Sequence, residues 1–535
     1  MLRSAKKILL VQPRFSSSSF WNYQATCDAV GARYSAAPLG LITVAALLPR
    51  SWSIRLVDRN CEELMESDLE WADLVFTGGM LPQQLDLKKV IALAHAHGKR
   101  VAVGGPDATF SPDIYSDADY LVLGEAEESI GQLLKALEDG AERGRFKAEG
   151  FPDVRKSPIP RFDLLKLENY LMVGVQLTRG CPFTCEFCNV VELNGHTPRM
   201  KGTVQMLAEL DALLATGYRG SVDFVDDNLI GNRRDIKPFL AALARWNEER
   251  NHPFEYSSEA SLNLASDPEL LSLMKAANFY AVFIGIETPD PKTLEHTRKK
   301  QNIGRDIATS VFKIYEAGIF VNAGFIVGLD GEQGPVSDAM VDCIEDGAIP
   351  VCMVGLLFAL PGTALAKRLH TEGRLLLDDP SVVDSDADQC TSGLNFVTRR
   401  PRLEILQDYR SVYQRIYSPK AYFGRVRRMA RALDMSQHKL RQPLRNLVRD
   451  ARSFGRIAYR MSAAGEEVRR EFWAAVADTL LHNPTAIKNT VSMAALYLHI
   501  GPFSKMLDTL IQRRMASEAG AEVPGAKPGR AASLS

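Results

Sequence analysis

The chain has 535 residues, enough for roughly three domains of about 150 residues each, and its 46% hydrophobic and 24% charged residues exclude a fibrous or wholly disordered protein. Lys plus Arg (64) nearly cancel Asp plus Glu (65), so no global field favours nucleic acid or another polyanion. Eight cysteines are too few for a disulfide scaffold, the N-terminus lacks the pattern of a secretory signal, and no apolar run reaches the ~18 residues of a membrane span. The expectation is a cytoplasmic protein, with contact at the inner membrane surface at most and no nucleic-acid partner.

From the N-terminus, short aliphatic runs alternate with helix-like stretches: KKILLVQP (Lys6 to Pro13), SIRLVDRN (Ser53 to Asn60), DLVFTGG (Asp73 to Gly79), RVAVGGP (Arg100 to Pro106) and YLVLGE (Tyr120 to Glu125). They predict an α/β fold that begins with a doubly wound, Rossmann-like domain over residues 1–140. Three of the five runs end in or next to glycine, at Gly78-Gly79, Gly104-Gly105 and Gly124. Such strand ends accept ligands, although tight βα turns alone also need glycine. Residues 141–171, charged and carrying KSPIPRFDLL, read as a linker.

A second series follows: MVGVQLTRG (Met172 to Gly180), SVDFVDDN (Ser221 to Asn228), FEYSSEAS (Phe254 to Ser261), AVFIGIE (Ala281 to Glu287), IFVNAGFIVG (Ile319 to Gly328) and VCMVGLLFALPG (Val351 to Gly362). Six strands separated by helical patterns predict a partial (β/α)6 barrel over 172–375, with its site at the carboxyl ends of the strands. Residues 376–515 read as a mostly helical domain in which Tyr409, Tyr413, Tyr417 and Tyr422 stand among basic residues. Between Lys420 and Glu471, 14 Lys or Arg face 5 Asp or Glu, a surplus that suits either anionic lipid or a solvated helix face. Residues 516–535, rich in Ala, Gly, Ser and Pro, read as a disordered tail.

The chemistry-bearing motif lies directly after the first barrel strand: Cys181-Pro182-Phe183-Thr184-Cys185-Glu186-Phe187-Cys188. At this cysteine frequency a C-x3-C-x2-C pattern arises by chance with a probability of about 0.002. Three thiolates on one loop suit a 4Fe–4S cluster with an open iron, while zinc would want a fourth Cys or His. Polar residues end the later strands, with Asp226, Asp227 and Asn228 at the terminus of the second, Glu259 following the third and Glu287 ending the fourth. Asp226 and Asp227 are equally well placed to start a helix.

The cysteine loop resembles the signature of radical S-adenosylmethionine (SAM) enzymes. The resemblance implies that Cys181, Cys185 and Cys188 bind the cluster, that Phe187 packs near the adenine, and that Asp226, Asp227, Asn228, Glu259, Glu287 and Gly328 contact SAM. Ahead of the barrel, APLGL with Pro38 and Gly40, GGPDATFSP with Gly104 and Gly105, and LGEAEES with Gly124 and Glu125 resemble the cobalamin-binding subclass, and Gly78 is a further candidate cofactor contact by its place at a strand end. Its nearest branch holds the hopanoid and bacteriochlorophyll C-methylases. The implied cofactors are a 4Fe–4S cluster, SAM and cobalamin, and the implied activity is C-methylation of an unactivated carbon in a hydrophobic substrate. The implied partners are that small molecule and an external low-potential electron donor such as flavodoxin or ferredoxin. The segment Asp58-Arg59-Asn60-Cys61-Glu62 departs from the subclass, having no histidine for the lower face of cobalt. The rival readings are a cyclase of the same architecture, of the anaerobic porphyrin-ester type, and a non-catalytic iron–sulfur or zinc-binding protein.

Overall fold

In β1 (Lys7–Gln12), Leu9 and Val11 are buried on one face and Ile8 and Leu10 on the other, a pattern that requires a sheet covered on both sides. The computed structural model describes residues 5–376, 390–440 and 444–520. In it β3 (Ser53–Asp58), β1, β4 (Leu74–Gly78), β5 (Arg100–Gly104), β6 (Tyr120–Leu123) and β7 (Gly144–Lys147) lie in that order, all parallel. Strand order reverses at β1, so the crevice open to ligands lies at the carboxyl ends of β1 and β4. The last strand, β7, falls inside the stretch expected to be a linker. Its sequence GRFK has no apolar run, and pairing with β6 is what makes it a strand.

All six expected barrel strands form. They are β8 (Tyr170–Val175), β11 (Gly220–Phe224), β12 (Phe254–Ala260), β13 (Phe279–Glu287), β14 (Phe320–Val327) and β15 (Cys352–Leu356), paired parallel in chain order. A seventh strand, β2 (Tyr34–Ala36), comes from the N-terminal region and extends the sheet beyond β8. Its three residues, YSA, show no strand pattern by themselves. Helix α1 (Gln24–Val30) precedes it, and α2 (Leu39–Leu47) follows and packs on both β1 and β8. The N-terminal region is thus built into the barrel sheet.

A half-barrel leaves its last strand with unpaired backbone groups. Helix α3 (Arg402–Ile416) covers that edge: the hydroxyls of Tyr409 and Tyr413 donate to the Val354 carbonyl at 3.0 and 2.9 Å. Just beyond the helix, the Tyr417 hydroxyl donates to the Cys352 carbonyl and accepts from the Cys352 N–H at 3.0 Å. Of the tyrosines that read as interleaved with basic residues, Tyr409, Tyr413 and Tyr417 are therefore fully or almost fully buried edge caps, while the buried Tyr422 donates to the Met493 carbonyl at 2.8 Å. Tyr417→Phe is expected to lower stability by about 1–3 kcal/mol, because it strands two buried backbone groups; urea denaturation measures it.

Helices α4 (Pro419–Ala432), α5 (Leu444–Ala463), α6 (Glu466–His482) and α7 (Ile487–Glu518) complete the C-terminal region. Helix α1 packs against α5 and α7, so the two ends of the chain clasp each other. The last helix runs to Glu518, past the start of the expected tail at 516, and residues 521–535 lie outside the described residues.

Candidate functional site

The cysteine loop is held at both ends before any side chain is considered. It leaves β8 through the two-residue strand β9 (Thr178–Arg179) and returns through β10 (Arg199–Met200), and these two pair antiparallel. Gly180 sits at φ +96°, and a Cβ there would lie 2.8–2.9 Å from the carbonyls of Thr197, Asn194 and Gly195, so only glycine fits. Asp226 accepts from the N–H groups of Leu177 and Thr178 and from the Thr178 hydroxyl at 2.8–2.9 Å. Asp227 accepts from the Gly180 N–H at 2.7 Å and from the Asn194 amide. Both carboxylates, expected to contact SAM, brace the loop in this structure. Asn228 donates to the Ser261 hydroxyl at 3.2 Å, while its amide oxygen is buried without a partner.

The three thiols are free and partly buried. Burial raises all three, and Cys188 is pushed up to about 12, so metal loading has to displace protons. Among the described residues no three His, Cys, Asp or Glu side chains are arranged to hold one metal ion. A 4Fe–4S cluster gives each thiolate its own iron and suits three thiols on one loop, whereas tetrahedral zinc takes a fourth Cys or His. Two neighbours that sequence reasoning missed face the sulfurs. The Gln301 amide donates to Cys185 Sγ at 3.6 Å, and the Lys299 ammonium lies 5.9 Å from the Phe187 ring centroid, where its charge draws Cys185 and Cys188 toward thiolate. Nothing in the run Arg298-Lys299-Lys300 distinguishes the middle residue.

Lys299 also binds Glu287, Nζ to Oε1 at 2.6 Å, with both side chains nearly buried. Burial alone would lower the lysine, but Glu287 and the nearby thiols override it and raise it. Glu287 has φ 69° and sits where the β13–β14 register shifts, a costly conformation for a side-chain-bearing residue. A Cβ on Gly285 would collide with this ion pair, so that glycine makes room for it.

The two faces of the barrel sheet differ. Val222, Phe224, Tyr256, Val282, Val321 and Val354 are fully buried under the helices. Their neighbours Asp223, Ser257, Phe283, Asn322 and Met353 are half-buried, and Val225 and Glu259 are exposed, so the inner face lines an open lumen. Glu259 is exposed by area yet crowded by protein, which together with Asp223, Asp227 and Asp226 raises its carboxyl to about 8. The buried Asn322 amide oxygen has no partner. Aromatic residues wall the mouth: Trp21, from the loop after β1, lies 5.5 Å from Phe283, and Tyr23 lies 5.4 Å from His499 on α7. Gly328, by contrast, packs against Leu394 and Ile405, and its N–H donates to Glu332 at 2.9 Å.

The N-terminal glycines divide into two groups. A Cβ on Gly78 or Gly104 would strike the next strand's backbone, and one on Gly105 would strike Gly79, so these three serve close strand-end packing. Gly40 and Gly124 have nothing within 4 Å of a Cβ position, which leaves room beside α2, whose N-cap is Pro38. The Glu125 carboxylate, expected at a corrin, pairs with Arg179 and Arg199 beside the cysteine loop. Glu127 joins them: burial would raise it, but Arg179 and Ser157 hold it down at about 2. The loop after β3 is closed by its own bonds, with Asp58 accepting from Asn60 and Tyr170 and with Arg59 on Asp86. The histidines of the N-terminal region are His95 and His97, both on another segment.

Three thiols after the first strand of an open parallel half-barrel, with a buried cation facing them, define an iron–sulfur enzyme of the partial-barrel class. Residues 175–334 match the model of the radical SAM superfamily, and residues 363–513 match a domain of unknown function, DUF4070. A methyltransferase of Synechocystis described as uncharacterised is 41% identical over 91% of this chain and 90% of its own. The hopanoid C-2 methylase of Rhodopseudomonas palustris is 36% identical over 79% of each chain. The chain belongs to the radical SAM superfamily, in the branch of the hopanoid C-methylases and bacteriochlorophyllide methyltransferases. It is an enzyme, and the superfamily's cofactors are a 4Fe–4S cluster and SAM. In fold it is similar to the cobalamin-dependent SAM radical enzyme OxsB, with a TM-score of 0.60 at 12% identity, covering 97% of this chain and 80% of that one.

Proposed function

We propose that this protein is a cobalamin-dependent radical SAM C-methyltransferase that methylates an unactivated carbon of a hopanoid-type lipid or a tetrapyrrole. The observation that carries this reading is the lumen: polar Asp223, Ser257, Glu259 and Asn322 share the inner face with Val225, Phe283 and Met353, Trp21 stands at the mouth, and the N-terminal crevice is joined to the same sheet through β2. When bound, the cluster supplies a low-potential electron to SAM, and the corrinoid supplies the methyl group. Cys181, Cys185 and Cys188 would hold the cluster, with Lys299 and Gln301 offsetting its negative charge. Gly40 and Gly124 leave the open room a corrin needs, and no imidazole stands after β3 to ligate its cobalt. Phe283, Met353 and Trp21 would hold an apolar substrate and exclude water, which protects a radical from quenching. A flavodoxin- or ferredoxin-type donor and contact with a membrane surface belong to the same reading.

Glu259 is the lumen carboxyl we assign to the positive charge of SAM. If its carboxylate pairs with that charge, binding releases its proton, and affinity rises with pH until the group is already ionised near 8. The expected outcome is a SAM dissociation constant that falls by up to about tenfold per unit between pH 6 and 8. Glu259→Gln should flatten that slope, as measured by titration of the cluster-loaded protein.

Anaerobic turnover with cobalamin and a methyl-labelled SAM tests the function. S-adenosylhomocysteine and 5′-deoxyadenosine should form together, with label in the substrate. Deoxyadenosine without S-adenosylhomocysteine would instead favour the cyclase reading.

A further inference from the structure

The basic surplus near the C-terminus is divided by the fold. Arg425 is fully buried and donates to the carbonyls of Ile349 and Ile416 while pairing with Glu345. Arg427, Arg428 and Arg431 pair with Glu471, Glu345 and Asp478. They line a depression with Lys420 on the outer side of α4. On α5, Arg452 is exposed, and among the described residues no ion pair is made by it or by the exposed Arg469 of α6.

Helix α6 lies between these two. Phe472, Ala475, Val476 and Thr479 face inward and are buried. The outward side is also apolar: Trp473 is 43%, Leu480 54% and Leu481 78% exposed, and Ala474 and Ala477 between them are exposed as well. This spacing of three, four and seven makes one stripe along the helix. The Trp473 indole donates to Ser462 at 3.0 Å, and Tyr459, 75% exposed on the same helix as Ser462, extends the patch. Of the ten Lys or Arg on the flanking helices α4 and α5, Arg425 is buried and Arg427, Arg428, Arg431 and Arg449 are ion-paired, while Lys420 and Arg452 are exposed. On α6 itself the exposed Glu466 and Glu467 stand next to Arg469 and Arg470 at the far end from the leucines.

We propose that this face of α4, α5 and α6 docks the enzyme on an anionic lipid bilayer, with Trp473, Leu480 and Leu481 entering the headgroup boundary and the flanking arginines meeting lipid phosphates. An apolar stripe flanked by cations is what interfacial binding requires, since burial of the stripe and attraction to anionic headgroups add. Soluble surfaces rarely leave such a stripe bare. The proposal rests on the reading of a membrane-lipid substrate for its purpose, and it assigns a role to the region that matches a family of unknown function.

The test uses full-length, cluster-loaded protein in anaerobic flotation with vesicles of phosphatidylcholine alone or mixed with phosphatidylglycerol. The wild type should float with the anionic vesicles and be released by salt. Leu480→Glu combined with Leu481→Glu should bind at least tenfold more weakly, with thermal stability and SAM cleavage unchanged, and Arg452→Glu with Arg469→Glu should weaken binding and flatten its salt dependence. Equal flotation with phosphatidylcholine alone, or no flotation at all, would overturn the proposal. So would a wild-type dimer that the double leucine variant converts to monomers, since the stripe would then be a contact between copies. Flotation is read without turnover, so a failure of lipid methylation would overturn the substrate reading and leave the docking surface standing.

Discussion

Cys185→Ala is expected to abolish both cluster and activity: iron should fall well below about four per chain, and SAM cleavage by the reduced protein should drop at least about a thousandfold, or ~4 kcal/mol of transition-state stabilisation. The reason is chemical rather than architectural. The loop that carries the thiols is held by Gly180, Asp227 and the β9–β10 pair, none of which the substitution touches. The fold should survive, and circular dichroism with iron and sulfide analysis separates cofactor loss from unfolding. Cys343→Ala supplies the control, because Cys343 is half-buried and away from the loop. Tight zinc at about one per chain in the wild type would favour the metal-binding alternative.

Lys299→Met is expected to act on stability and chemistry together. Removing one partner of a buried ion pair costs about 3–5 kcal/mol, because the charge left behind is neither solvated nor paired. Here the orphan is Glu287, already held in a left-handed backbone conformation. The same substitution removes the cation facing Cys185 and Cys188, so the cluster's reduction potential should become more negative. Lys299→Arg retains the charge but not the fit under Gly285, and it should recover the potential more fully than the stability. Redox titration read beside urea denaturation distinguishes the two effects.

How much of this was legible differs by region. The six barrel strands and the first five strands of the N-terminal sheet announce themselves, because a parallel strand covered on both faces needs an unbroken apolar run. β2 and β7 do not, since YSA and GRFK become strands only by pairing with β8 and β6. The carboxylates after β11 were legible as important but not in role. A pair of Asp residues at a strand end can bind a ligand or tie down a loop, and the choice depends on which N–H groups come within 3 Å. Glu125 shows the same limit across a greater separation, since its partners Arg179 and Arg199 lie 54 and 74 residues away. The basic stretch misled in part because a count of arginines cannot tell Arg425, spent inside the core, from Arg452 in solvent.

The sequence by itself pointed to the chemistry: three cysteines at this spacing on a loop after a barrel strand suit a 4Fe–4S cluster, whose irons take thiolate ligands. It also determined the fold class, through apolar periodicity that acts over a few residues at a time. Only the tertiary structure decided which partner each polar residue meets. A carboxylate or a guanidinium takes its role from the partner it meets, and in this protein those partners come from other strands, other helices and the opposite end of the chain.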